Sequence, residues 1–357
     1  MEIPAKMMAI VKTKRGKGCE YLEVPVPQEV GPDEALIKVH SMAICGTDIH
    51  AYVWNEWAQN NFEKAYSGFP RIMGHEFAGE VVKIGSLVDN IKVGDRICCE
   101  THIPCGKCYL CRTGNAYNCV NIKRFKDGVY GEYALVPASL CMTLADNMDW
   151  DQGTVMEPFS VATHATSQVR VVGDTVLVVG AGPIGLFTIQ CAKAMGASQI
   201  FASDVSEYRR NLAITAGATI ALDPTQCDVV EEVKKATDGL GAGTVFETSG
   251  NVGAIKQGFE ALRKCGHMVM VGLPSKPLVL DAANDIVWKG AVIHGIHGKE
   301  EFLSWEISKG LISSGRVDVM PMITHRFKMS EFEEAFELAA AGKTGKVVLY
   351  PDALNGE

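Results

Sequence analysis

The stretch Val176-Leu177-Val178-Val179-Gly180-Ala181-Gly182-Pro183-Ile184-Gly185 decides the fold. Its apolar, β-branched opening reads as a buried strand, and Pro183 suits the first turn of a helix. Between them lies G-x-G-x-x-G. Glycines there let a backbone approach a pyrophosphate, and the helix N-terminus favours its charge. Asp204 closes the next strand, about twenty residues on, where an acid accepts hydrogen bonds from an adenosine ribose and repels a 2′-phosphate. The expected cofactor is therefore NAD rather than NADP, held by Gly180, Gly182, Pro183, Ile184, Gly185 and Asp204. Arg209 is a further candidate for the ribose or adenine; otherwise Arg209 and Arg210 are solvated helix charges.

Outward from this stretch the rhythm is strand, helix, strand. Strands are expected at Thr175–Val179, 200–203, 244–247 and 267–271, and helices at 183–195 and Glu207–Ala216. Repeated units of this kind imply an α/β fold with a parallel sheet covered on both faces. Residues 1 to about 155 read instead as mainly β, with runs such as 35–39 and 79–84 set between glycines and prolines. The last sixty residues carry two more helical patterns, and the closing apolar run, Lys346–Tyr350, can return to the first domain as a strand.

At 357 residues the chain exceeds one ordinary core. The expected domains are 159–295, and 1–158 together with 296–357. A composition of 47% apolar and 21% charged residues is that of a globular protein. The net charge of -8 does not attract phosphate backbones, so no nucleic-acid partner is expected. The longest uncharged stretch, 175–192, contains the glycine turn and reads as strand plus helix rather than a membrane span. Residues 1–14 hold no signal-peptide core. A cytoplasmic protein with a small-molecule substrate and no membrane contact is expected.

Four of the twelve cysteines, Cys105, Cys108, Cys111 and Cys119, form C-x2-C-x2-C-x7-C in a lobe at about 98–122. Four thiolates close a tetrahedral shell around Zn²⁺ and leave no place for substrate, so this zinc is structural. Iron–sulfur proteins use similar spacings, but nothing else in the chain requires an electron-transfer centre. Cys98 and Cys99 read as buried strand residues. A second, mixed set is Cys45, His75 and Glu76, joined at the domain junction by Glu157. Mixed ligands suit zinc with an open position, where the metal polarises an alcohol oxygen. Thr47 and His50 can relay the released proton, and Asp48 can orient His75. Taken singly, each has a plainer reading: His75 a structural histidine, Glu157 a helix cap, Thr47 local packing, His50 a surface residue, Asp48 a turn former.

Together these motifs resemble the zinc-containing medium-chain dehydrogenase/reductases over nearly the whole chain. The resemblance implies a GroES-like catalytic domain built from both chain ends around a Rossmann domain. It implies catalytic zinc on Cys45, His75 and Glu76, with Glu157 ligating or just behind, and structural zinc on Cys105, Cys108, Cys111 and Cys119. The implied reaction is NAD-linked oxidation of a secondary alcohol, hydride leaving the alkoxide once the proton has passed to Thr47 and His50. Homo-tetramers are usual, dimers occur, and the exposed edge of the Rossmann sheet offers a route to them.

Within the family, residues 44–59 with Trp54 and Trp57, Glu100-Thr101-His102, 295–298 with Trp305, and 323–327 are similar to the threonine-oxidising branch. This implies L-threonine as substrate and 2-amino-3-oxobutanoate as product. Two features depart from that branch. Phe159-Ser160-Val161-Ala162-Thr163-His164 is more like polyol dehydrogenases, and Lys299 stands where an arginine would clamp a carboxylate. A sugar alcohol is the alternative substrate, and a catalytically silent NAD-binding protein the alternative class. Trp54, Trp57 and Trp305 either line the cleft or pack at an interface.

Overall fold

The apolar runs around the glycine fingerprint are strands in the computed structural model, which describes residues 3–65, 68–122, 124–125, 128–274 and 276–352. Thr175–Val179, Gln199–Ser203 and Ala242–Glu247 are buried along nearly their whole length. Continuous apolar strands of this kind belong inside a parallel sheet. They do so here, in a six-stranded sheet ordered Ile220–Leu222, Gln199–Ser203, Thr175–Val179, Ala242–Glu247, Leu262–Met270, Val292–Gly295. Every neighbouring pair is parallel. The order reverses between Thr175–Val179 and Ala242–Glu247, which is where such sheets bind ligands. Helix Pro183–Ala194 follows the fingerprint, with Gly182 as its N-cap and Pro183 at its start. Glu207–Ala216 starts on Ser206, whose hydroxyl accepts from the Arg209 amide, and ends on left-handed Gly217. Leu177, Val179, Phe201, Val245, Phe259 and Met268 form the core.

The chain divides into two units: residues up to Glu157 with those from Ile323 onward, and Pro158–Met322. The first division falls within helix Trp150–Ser167. The second differs from the expected boundary at 296, since residues 296–322 belong to the same unit as the parallel sheet. Two side chains bind this segment there: His164 Nδ1 lies 3.1 Å from the Gly298 carbonyl, and the Ser308 hydroxyl donates to Thr163 at 2.8 Å. Both contacts join residues more than a hundred positions apart, which local sequence pattern does not reveal.

The first unit is built on the long strand Glu34–Ala43. In its sheet the order is Cys141–Thr143, Arg96–Cys99, Glu76–Ile84, Glu34–Ala43, Lys346–Tyr350, Ile323–Lys328, with Tyr133–Pro137 also on Glu34–Ala43. The closing apolar run does return to this unit, antiparallel, with Val348 opposite Ala43. Glu76 also stands opposite Ala43, on the strand's other edge. Two chemically loaded strands thus converge where Glu34–Ala43 ends. Asp151 anchors the return, accepting from Arg326 Nε at 2.9 Å and the Tyr350 hydroxyl at 2.6 Å.

Candidate metal centres and cofactor site

Cys45 lies two residues beyond the end of Glu34–Ala43 and is the N-cap of helix Gly46–Val53. Its amide donates to Asp48 Oδ2 at 3.1 Å. The Tyr130 hydroxyl donates to the same oxygen at 2.7 Å, and Asp48 Oδ1 is 3.6 Å from His75 Nδ1. Burial by itself raises Asp48, but the His75 imidazole, Tyr130 hydroxyl and Cys45 amide outweigh it and hold the carboxyl below its ordinary range. Nδ1 faces Asp48, so Nε2 is the ring nitrogen left for a metal. The preceding residue must be glycine: Gly74 has φ +85°, and a Cβ on it would lie 2.1 Å from the Tyr130 ring.

Glu76 opens its strand fully buried and forms an ion pair with Lys346. Its Oε1 has no hydrogen-bond partner. A buried carboxylate oxygen left bare is costly in the absence of a ligand. The ligand atoms of Cys45, His75 and Glu76 lie within 4.8 Å of one another. One thiolate, one imidazole and one carboxylate at this spacing fit Zn²⁺ with an open position. Glu157 lies outside that set. It acts on Glu76 electrostatically and accepts from the Thr101 hydroxyl at 3.4 Å. Thr101 and His102 in turn give their amides to the buried carboxylate of Glu100 at 2.8 and 2.9 Å.

Thr47 Oγ1 is buried with no hydrogen-bond partner. Across the turn, His50 Nδ1 is 2.7 Å from Asn55 Nδ2 and its ring lies against Trp57. Asn55 Oδ1 accepts from the Ala58 amide, so Nδ2 is the atom that donates to the imidazole. Burial lowers the His50 pKa, and the neutral ring carries its proton on Nε2. Trp54 packs against Phe62, Phe69 and the Lys12 ammonium. Trp305 is fully buried with the Lys299 ammonium 5.6 Å from its ring centre.

The four clustered cysteines form the second centre. Their sulfurs are separated by 3.9 Å (Cys105 to Cys111), 3.5 Å (Cys108 to Cys111) and 3.8 Å (Cys108 to Cys119). A tetrahedral ion with ~2.3 Å bonds to sulfur separates its ligands by about 3.8 Å. The spacing therefore fits one ion, not a multi-iron core whose cysteines sit on different irons. Backbone amides of Lys107 and Cys108 bring Cys105 down to about 6. Burial and the neighbouring thiols push Cys111 up to about 12, and a bound cation would favour its thiolate. Cys98 and Cys99 are buried in strand Arg96–Cys99, as expected.

Two fingerprint glycines, Gly180 and Gly182, border a cavity of about 510 Å³ lined also by Asp204, Arg209, Thr225 and Ser249, among others. Gly180 has φ +91°, and a Cβ on Gly185 would lie 2.0 Å from the Gly180 carbonyl. Asp204 accepts from the Ala181 amide and the Ser206 amide, both at 2.8 Å, so its carboxylate is fixed against the glycine turn. Arg209 Nε is buried without a partner on the same cavity wall. Arg210 instead pairs with Asp223 at 3.0 Å. An acid and an unpaired guanidinium nitrogen beside a glycine turn suit an adenosine ribose and its base. Sequence reasoning did not single out Lys346, Tyr130 or Asn55. Lys346 carried one faint signal, a charge opening an otherwise apolar final run.

Residues 31–146 match the alcohol dehydrogenase GroES-like domain, and residues 183–309 the zinc-binding dehydrogenase domain. L-threonine 3-dehydrogenase of Caldanaerobacter subterraneus is 44% identical, over 97% of this chain and 99% of its own. The enzyme of that name from Pyrococcus horikoshii is 45% identical, over 96% and 98%. Among solved structures, a zinc-binding dehydrogenase of Sinorhizobium meliloti bound to NADP superposes with a TM-score of 0.88 at 29% identity, over 98% of this chain and all of the other.

Proposed function

The chain belongs to the zinc-binding dehydrogenases with a GroES-like domain, and from this we propose that it oxidises the 3-hydroxyl of L-threonine to 2-amino-3-oxobutanoate, with NAD⁺ accepting the hydride. The observation that carries the reading is the Cys45, His75 and Glu76 ligand set with a bare buried oxygen on Glu76, together with a second bare buried oxygen, Thr47 Oγ1, two residues along the chain from Cys45. Zinc held by Cys45, His75 and Glu76 supplies Lewis acidity toward the substrate hydroxyl. Asp48 holds His75 in the ligating orientation, and Glu157 stands behind Glu76. Thr47 Oγ1 takes the hydrogen bond of the departing proton, and His50 is the second group of the relay. Because Asn55 occupies Nδ1, a proton enters or leaves His50 at Nε2. NAD is bound at the cavity bordered by Gly180 and Gly182, where Pro183, Ile184 and Gly185 open the following helix, with Asp204 and Arg209 on the adenosine.

Identities of 44% and 45% to relatives named for threonine oxidation support this substrate over a polyol. The two departures from the threonine branch both make packing contacts within the Pro158–Met322 unit. Phe159 is fully buried edge-on to Phe187, Thr163 bonds Ser308, His164 holds Gly298, and the next residue, Lys299, lies over Trp305. The 159–164 stretch and the Lys299 turn are thus one packed cluster.

A homo-oligomer, tetramer or dimer, is part of the proposal. Val292–Gly295 is an edge strand of the parallel sheet; Val292 and Ile293 on it, and Val287 and Trp288 before it in the chain, are exposed. No described helix is long and apolar enough to cross a membrane, and a cytoplasmic location is proposed.

The test is NADH formation by zinc-replete protein on L-threonine and, in parallel, on xylitol and sorbitol. A clear preference for L-threonine is expected. Turnover of the polyols alone would overturn the substrate. Absence of zinc from the Cys45 set, with the cysteine lobe still loaded, would instead indicate a silent relative.

A further inference from the structure

The final strand brings a lysine to the catalytic set. Val348 pairs with Ala43 and Leu349 with Met42. The same register carried two residues further places Lys346 opposite Cys45. Lys346 Nζ donates to the Ile44 carbonyl at 2.9 Å and forms an ion pair with Glu76. Its side chain is 3% exposed and that of Glu76 is 0% exposed. Cys45 and Glu157 both lie close enough to act on the ammonium electrostatically.

A buried ion pair is a poor stabiliser, because desolvating two charges offsets most of their attraction. Packing alone therefore gives little reason for a lysine here. Charge balance gives one. The Cys45 thiolate, Asp48, Glu76 and Glu157 bring four negative charges to a site whose ion carries two positive ones. Lys346 offsets part of the excess, and it does so on the carboxylate that a metal would also bind.

We infer that Lys346 is a positioning residue of the catalytic zinc site, sharing Glu76 with the metal. By drawing Glu76 density toward its ammonium and adding a positive charge nearby, it holds the zinc less tightly than the ligands alone would, and leaves the ion more electron-poor toward substrate. This rests on Cys45, His75 and Glu76 being the zinc ligands.

The experiment uses the full-length zinc-loaded protein. Zinc release to a chromogenic chelator is timed for wild type, Lys346→Gln, Lys346→Met and Lys346→Arg, and the visible absorption of each cobalt-substituted protein is recorded. Lys346→Gln can still donate to the Ile44 carbonyl, so it separates the charge from the anchor and serves if Lys346→Met does not fold. Loss of the charge is expected to slow zinc release by about tenfold or more and to change the cobalt absorption, while Lys346→Arg stays near wild type. Release as fast as wild type or faster in Lys346→Gln, or an unchanged cobalt spectrum, overturns the role. A Cys45→Ser control separates the two layers: if it keeps all the zinc of wild type, the ligand set is misassigned; if it loses the ion, the set stands and Lys346 is judged by its own variants.

Discussion

His40 shows how one side chain carries a pH dependence. It stacks on Trp150 with ring centres 4.0 Å apart, and its Nε2 is buried without a hydrogen bond. Burial, with Lys38 and Arg96 nearby, pushes its pKa down to about 4. An unfolded histidine titrates near 6.5. Between these values the unfolded chain binds the extra proton, so this stabilisation is full above pH 6.5 and is lost as pH falls toward 4. Screening by water at this partly exposed ring, with Glu80 Oε2 3.9 Å from Nε2, holds the loss to about 1–2 kcal/mol. His40→Phe keeps the stack and should flatten the difference between urea midpoints at pH 7 and pH 4.5 to that extent. Thr47 makes the matching prediction for catalysis: Thr47→Ala should lower kcat by about 10²-fold with KM little changed, and Thr47→Ser should restore most of it. Cys45, His75 and Glu76 were legible in the sequence as a set because cysteine and histidine are scarce and Glu76 directly follows His75; Thr47 and His50 drew notice only through their short spacing from Cys45. Tyr130, Asn55 and Lys346 were not, because nothing beside them in the chain shows which distant atom they meet.

At the level of elements, the site depends on where turns and strands end. Gly74 lets the chain reverse against the Tyr130 ring and deliver His75 to Asp48. Gly74→Ala forces both a positive φ and a collision, so it should destabilise by about 1–3 kcal/mol and lower zinc content at the Cys45 set, read by unfolding and by metal analysis. The cysteine lobe is a separate element held by its own sulfurs. Cys111→Ser should release the lobe's ion and leave the ion on Cys45, His75 and Glu76, again by metal content per chain. The lobe and the glycine turn were legible because their whole geometry lies within a few residues. The junction of Glu34–Ala43 with Glu76–Ile84 and Lys346–Tyr350 was not, since strand pairing is set by long-range register.

At the level of the whole molecule, the exposed edge of the parallel sheet is the feature to test. Ile293→Asp places a charge on Val292–Gly295 and should shift sedimentation toward smaller species. Sequence by itself determined the two fold classes, the cysteine lobe, the Cys45, His75 and Glu76 set and the glycine turn with Asp204. These follow from residue types at short, fixed spacings, where ligand geometry and backbone sterics act locally. Only the tertiary structure decided that residues 296–322 join the parallel-sheet unit, that the 159–164 stretch and Lys299 form one packed cluster, and that Lys346 meets Glu76. Those outcomes depend on burial and register between segments far apart in the chain, where the free energy of packing, not the local pattern, selects the partner.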